Sequence, residues 1–425
     1  MTTTPLSARL ENGTLGGRLK EIYVTPDGVE RARTKLGDLL STFEKEHPDL
    51  SPSLYTAAGR TEMGGNHTDH QHGNVLAAAV DMETIAVGAP TTTGAIRVFS
   101  TQYPEDLVRL DDLDPKPEEE GKSIALVRGI ARALVDRGYS LGGASILTQS
   151  GVPGGSGLSS SAAFEVLIGN VLNHLFCNDE LDPVEIAKIG QYAENVYFGK
   201  PSGLMDQMAC SIGGVVGIDF EDPSDPAVTA VDFSLTKAGY AMCIIDSGAD
   251  HADLTDDYAH ITEDMGAVAH FFGEKYLGNV NHDQFWASLS EVRRSTSDRA
   301  AARAAHFFND DERVPLQVAA LKEGRFGDFL EMVTDSGRSS GLYLQNLYSP
   351  SSTDQSVTLT IALAEHLLDG EGAVRVHGGG FAGTVQAYVP LEKAQEFKAE
   401  IEKILGEDRC NIISIRPVGG AFIAE

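Results

Sequence analysis

The sequence predicts an α+β protein built in two halves. Three observations carry this. Apolar residues recur at helical spacing in long segments, short apolar runs bounded by glycine or proline stand between them, and a Pro/Asp-rich turn at 221–226 divides the chain. A length of 425 residues fits two or three domains, and 42% hydrophobic residues supply a large core.

Residues 1–50 form a helical lead-in: Val29, Leu36, Leu39, Leu40 and Phe43 recur at helical spacing over 28–46, and Ser51-Pro52-Ser53 stops the pattern. The Gly-, His- and Asn-rich stretch 57–73 has the composition of a loop. A strand, or a short helix leading into one, follows at 75–87, and a second strand at 94–100. The acidic, Pro-containing stretch 105–121 is expected to be a surface loop. Ile124, Val127, Ile130 and Leu134 mark a helix that Gly138 ends. A short strand at 144–148 leads into a glycine loop at 151–157 and then an apolar helix at 159–175. Asp182 and Pro183 open another helix as cap and first residue. Strands are expected at 213–220 and 240–246. The turn between them is the boundary between a first half, 51–225, and a second, 226–425. Beyond it, 257–272, 283–297, 299–308, 314–323, 328–348 and 357–368 are helical by periodicity. Strands at 374–377 and 384–389 flank a turn at Gly378–Gly380, and a helix at 391–405 precedes a last strand at 410–416.

Charge narrows the function. With 33 Lys+Arg against 62 Asp+Glu the net charge is −29, which disfavours nucleic acid and anionic membrane surfaces as partners. A small anion remains possible where backbone amides, an arginine and a metal ion make a cleft locally positive. No run of 18 apolar residues and no secretory h-region is visible. The scattered Cys177, Cys210, Cys243 and Cys410 fit reduced thiols in a cytoplasmic protein.

Three stretches carry chemistry. The first, from Gly151 to Ala163, contains Gly154, Gly155, Ser156, Gly157, Leu158, Ser159, Ser160 and Ser161 between a strand and an apolar helix. Glycine amides and a helix N-terminus together make a phosphate cradle, with serine hydroxyls where a P-loop would place lysine. Ser159 as a plain helix cap is the competing reading. The second, from Ala58 to Gly73, holds Arg60 and a dense polar cluster suited to a binding wall. Its His67, Asp69, His70 and His72 are also metal-ligand types, though irregularly spaced. In the third, from Gly199 to Ala209, Asp206 follows a Gly/Pro turn as either a helix cap or a working acid/base, with Glu194 upstream.

Together these stretches resemble the galactokinases of the GHMP kinase superfamily. Residues 59–70 follow the family's Gly-Arg-x-Asn-Leu-Ile-Gly-Glu-His-Thr-Asp-Tyr signature, and the nucleotide motif Gly-Gly-x-Gly-Leu-Ser-Ser-Ser-Ala stands intact at 154–162. Residues 202–207 correspond to Cys-Gly-Ile-Met-Asp-Gln with Ser202 in place of the cysteine, and 376–384 resemble the third motif. The resemblance spans roughly 57–421. It implies a two-domain GHMP kinase fold, with an N-terminal ribosomal-protein-S5-like domain, a C-terminal ferredoxin-like domain and the active site in the cleft between them. It further implies ATP-dependent phosphorylation of the C1 hydroxyl of galactose by a monomeric enzyme. Asp206 would be the base with Arg60 beside it. Glu194 and a loop serine, Ser161 before Ser160, would hold Mg²⁺, while Asn66, His67, Asp69, Gly203 and Tyr258 would line the sugar.

The sequence departs from the family pattern in placing Asn66 where the family has Glu, Glu62 where it has Asn, and His70 where it has Tyr. Asn66 bears on the sugar's C6 position, so a related sugar-1-kinase acting on galacturonate, for example, is the alternative. A noncatalytic galactose/ATP sensor is disfavoured by the complete serine-alanine motif, and a metal hydrolase built on the histidines is a third class.

Overall fold

The computed structural model describes residues 5–101, 103–153, 157–248 and 255–425. Two sheets organise the chain. The first contains β1 (Ser53–Gly64), β2 (Asn74–Thr91), β3 (Ala95–Ser100), β4 (Tyr103–Arg109), β5 (Gly143–Ser150), β6 (Val215–Asp219), β7 (Ala227–Val231) and, from the other end of the chain, β12 (Ala421–Ala424). Its order is β12-β1-β2-β5-β3-β4, and β6 with β7 pairs to the first half of the long β2. All pairings are antiparallel except β3 with β5. The second sheet is antiparallel throughout: β8 (Tyr240–Asp246), β9 (Ala373–His377), β10 (Thr384–Pro390) and β11 (Cys410–Ile413), ordered β11-β8-β10-β9.

The lead-in is helical, as its periodicity predicts, in three pieces: Leu6–Glu11, Gly16–Tyr23 and Pro26–Glu46. Thr25 caps the last by accepting from the Gly28 amide at 3.1 Å. Its buried face of Val29, Leu36, Leu39, Leu40 and Phe43 lies on one side of the first sheet, against Ile85, Val87 and Leu147. The other side packs under the helices Ser123–Asp136, Ser160–Phe176 and Pro183–Ala193 to make the main core.

Four expectations are corrected. The stretch 57–73 is not a loop throughout, because its first part is the interior of β1, buried along its whole length. Part of the acidic stretch 105–121 is β4, paired with β3. The turn at 221–226, expected to separate the halves, is a hairpin inside the first sheet: β6 and β7 pair from Val215–Val231 to Asp219–Ala227. The two short helices expected at 299–308 and 314–323 are one, Asp298–Lys322, which runs through Pro315.

The sheets are stitched together by polar side chains of β1. Gln386 of β10 donates to Thr61 Oγ1 at 2.7 Å and to the Glu62 carbonyl at 2.9 Å, and Arg375 of β9 pairs with Glu62 where both are buried. This stitching brings the end of β1, the N-terminus of the helix Ser160–Phe176 and the β9–β10 turn to one place.

Candidate active site

A cavity of about 680 Å³ opens there. Arg60, Asn66, His67, Asp69, Gly157, Ser159, Ser160, Ser161, Gly203, Asp206 and Tyr258 all line it. Of the remaining candidates, Glu194 stands behind Ser161, and the buried Leu158 accepts from the Arg60 amide through its carbonyl at 3.1 Å. Gly154, Gly155 and Ser156 lie outside the described residues.

Asp206 sits in the first turn of the helix Met205–Ile212, and Arg60 reaches it from β1 in a two-point grip: Nε to Oδ1 at 2.7 Å and Nη2 to Oδ2 at 2.8 Å. Ser159 donates its hydroxyl to Oδ2 at 2.7 Å. Ser159 does occupy the N-cap position of the following helix, but at φ 57° and without capping it, so its hydroxyl serves Asp206 instead. Burial alone would raise the Asp206 pKa. The Arg60 charge and hydrogen bonds outweigh it, with help from Lys200 and Ser159, and hold the carboxyl well below the usual range. Arg60 is fixed in turn by the Gly157 carbonyl. A glycine is required at 157, since a Cβ there would lie 2.6 Å from Thr384 Oγ1 and 2.8 Å from His377 Nδ1.

A second carboxylate lies deeper. Glu194, only 1% exposed, begins a π-helical turn, Glu194–Phe198, that ends the helix Pro183–Ala193. Its Oε1 takes the Ser161 hydroxyl at 2.9 Å and the Lys200 ammonium at 2.8 Å. Its Oε2 takes Ser202 Oγ and, at 2.8 Å, Gln207 Nε2. Gln207 also donates to Glu165 at 2.8 Å. Burial first, and the Glu194 charge second, push the Glu165 carboxyl well above its ordinary range. Lys200, Glu165 and Gln207 were not singled out by sequence reasoning. Lys200 and Gln207 fall inside the third stretch, but only the folded geometry sets them on Glu194. Hard oxygen donors and a buried carboxylate beside a hydroxyl fit Mg²⁺.

On the opposite wall Asp69 approaches Gly203 so closely that a Cβ there would stand 1.8 Å from Asp69 Oδ2. His67, at φ 60°, places Nε2 2.9 Å from the Gly379 carbonyl, and burial with the His70 charge lowers its pKa to about 4. Tyr258 donates to the Gly380 carbonyl at 2.8 Å and turns its ring edge-on to Phe381.

Asn66 borders the same cavity. It is fully buried, and both amide hydrogens are used, on Glu62 Oε1 at 3.1 Å and the Gly378 carbonyl at 2.8 Å. Its oxygen accepts from Asn346 at 2.9 Å and Ser340 at 3.3 Å. These bonds engage both the amide hydrogens and the amide oxygen of Asn66 within the wall that it lines. Of the histidine cluster, His67 and His70 stay stacked with ring centroids 6.1 Å apart while His72 stacks on Tyr276 at 3.7 Å, and no group of three or more His, Cys, Asp or Glu among the described residues is arranged to hold a metal.

Comparison with known proteins matches the same stretches. The family model for the GHMP kinases N-terminal domain covers residues 125–214, and that for the galactokinase galactose-binding signature covers 41–90. Among solved structures, galactokinase from Lactococcus lactis, complexed with galactose, superposes with a TM-score of 0.79 at 22% identity, over 91% of this chain and 99% of that one. Mevalonate kinase from Methanococcus jannaschii gives 0.59 at 17% over 85% and 98%. Phosphomevalonate kinase from Streptococcus pneumoniae, in complex with phosphomevalonate and AMPPNP, gives 0.57 at 14% over 84% and 99%. At these identities the likeness to solved structures is one of fold. The two family models supply the rest: the chain carries a GHMP kinase N-terminal domain and the galactokinase galactose-binding signature, which together support a sugar kinase.

Proposed function

We propose that this enzyme transfers the γ-phosphoryl group of ATP to the C1 hydroxyl of galactose. The observation that carries the reading is the partly buried Asp206, ionised and gripped at two points by Arg60, facing a cavity whose other wall contains His67 and Asp69 of the galactose-binding signature region. The phosphates would lie on the loop before the helix Ser160–Phe176, where the helix N-terminus and its dipole favour negative charge.

The sugar's C1 oxygen attacks the γ-phosphorus, the bond to the bridging oxygen of ADP breaks, and the hydroxyl proton passes to an Asp206 carboxylate oxygen. The same Arg60 contact that keeps Asp206 ionised also makes it a weak base. Proton transfer therefore comes late, once bond formation to phosphorus has acidified the hydroxyl, and most of the catalysis rests on positioning and charge neutralisation. Glu194 and Ser161 are the residues that would hold Mg²⁺, which supplies neutralisation of phosphate charge when bound. Arg60 is placed to stabilise charge on the transferring group.

A panel of galactose, galacturonate, arabinose and glucosamine with ATP, followed by ADP release, tests the substrate. Galactose is expected to give the highest kcat/KM. Galacturonate ranking first would overturn this reading in favour of an altered C6 preference, and sugar and ATP binding with no turnover would indicate a sensor.

A further inference from the structure

Lys200 adds to the positive charge that keeps Asp206 ionised, yet its direct partner is another carboxylate. It rises from the loop after the π-helical turn, where its own amide donates to the Glu194 carbonyl at 3.1 Å. Its side chain is about half exposed (53%), whereas the carboxylate it meets is 1% exposed. Its Nζ stands 2.8 Å from Glu194 Oε1, the same oxygen that takes the Ser161 hydroxyl at 2.9 Å. The neighbouring carboxylates are served otherwise. Asp206 has Arg60, and the Glu165 carboxyl is held by Gln207. Lys200 is thus the charge partner of Glu194 among the described residues, and it lines the cavity wall.

A buried carboxylate requires a cation or it destabilises the fold. A lysine suits a temporary partner: a compact charge on a flexible four-carbon stem, which can swing away without leaving a rigid fork behind. Resting on the assignment of Glu194 as a metal ligand, we propose that Lys200 is a tethered cation that competes with the divalent ion for Glu194 Oε1. It seats the carboxylate in the empty enzyme and is displaced into the cleft when the metal arrives. The metal affinity of the site is then set by an exchange of cations rather than by the filling of a vacant position.

The test uses Mn²⁺ titrated into the full-length protein without nucleotide and read by loss of the free-ion EPR signal. The fraction abolished by Glu194→Gln isolates this site from adventitious binding to the acidic surface. Removing a half-exposed competing charge is expected to tighten that fraction about three- to fivefold in Lys200→Gln. Lys200→Arg, which keeps the charge, is expected to stay near the wild-type value. In steady-state assays the half-saturating Mg²⁺ concentration should fall in parallel for Lys200→Gln. Unchanged or weaker Glu194-dependent Mn²⁺ binding in Lys200→Gln would overturn the competition while leaving the proposed function intact. Wild-type Mn²⁺ binding that ignores Glu194→Gln would overturn the metal assignment itself, and the competition with it.

Discussion

At the residue scale, Asp206 and Arg60 act as one unit. Asp206→Asn keeps the shape but gives up both the charge that Arg60 grips and the proton acceptor. It should lower kcat by about 10²–10⁴-fold, with AMPPNP affinity within a few-fold of wild type by calorimetry. Activity within a few-fold would remove Asp206 as the base. Because its carboxyl is held well below the usual range and His67 titrates only at about 4, neither group changes charge between pH 8 and pH 5. The kcat/KM for galactose should therefore show no acid limb in that window, and a limb centred near pH 6.5 would contradict the assignment. Gly203→Ala would drive a methyl onto Asp69 Oδ2, now 1.8 Å from that Cβ position. It is expected to raise the galactose KM by about tenfold, roughly 1.4 kcal/mol, with little change in ATP KM. Asp206, Arg60 and Ser161 were legible because their motifs keep fixed neighbours in the chain. Lys200 and Glu165 were not, because their meaning depends on a carboxylate that only folding brings alongside.

At the scale of elements, β1 explains why polar composition misled. A strand rich in Gly, Thr, Arg and Glu has the composition of a loop when partners are unknown. Here Thr61, Glu62 and Arg60 are satisfied across the cleft by Gln386, Arg375 and Asp206. The strand is polar because one end of it is the active-site wall. The hairpin at 221–226 misled for the converse reason, since proline and aspartate mark a turn without saying whether it joins two strands of one sheet or two halves of a protein. The helix Pro26–Glu46 was legible from its period alone. What its period could not reveal is that it covers the back of the strands that hold Arg60 and Glu83. Tyr23, just before it, donates to Glu83 at 2.7 Å, and the Glu83 carbonyl in turn accepts from the Gly151 amide at 2.7 Å, where the phosphate loop begins. Phe43→Ala, emptying a site 1% exposed, should cost about 3–5 kcal/mol of unfolding free energy by denaturant titration. A loss below about 1 kcal/mol would mean that the lead-in packs loosely on the sheet.

For the whole molecule, the net charge of −29 describes the outer surface, while the cleft balances its charges in pairs: Asp206 with Arg60, Glu194 with Lys200, Glu62 with Arg375. Stability should follow pH through the buried histidines. Burial lowers His67 and His306 to about 4, and lowers His377 well below the ordinary 6.5 as well. The unfolded chain thus binds protons first as pH falls. Their stabilisation is complete above pH 6.5 and is lost by about 1.4 kcal/mol per pH unit per histidine between there and the folded pKa. Denaturation midpoints should fall steadily from pH 6.5 to 4.5, and a flat profile would mean that these rings gain charge without cost. The most direct test of the account is ³¹P NMR of galactose and MgATP incubated with the enzyme. It predicts a new phosphomonoester signal coupled to the anomeric proton, present with wild type and absent over the same time with Asp206→Asn; a phosphate coupled to the C6 protons, or none on galactose at all, would contradict it.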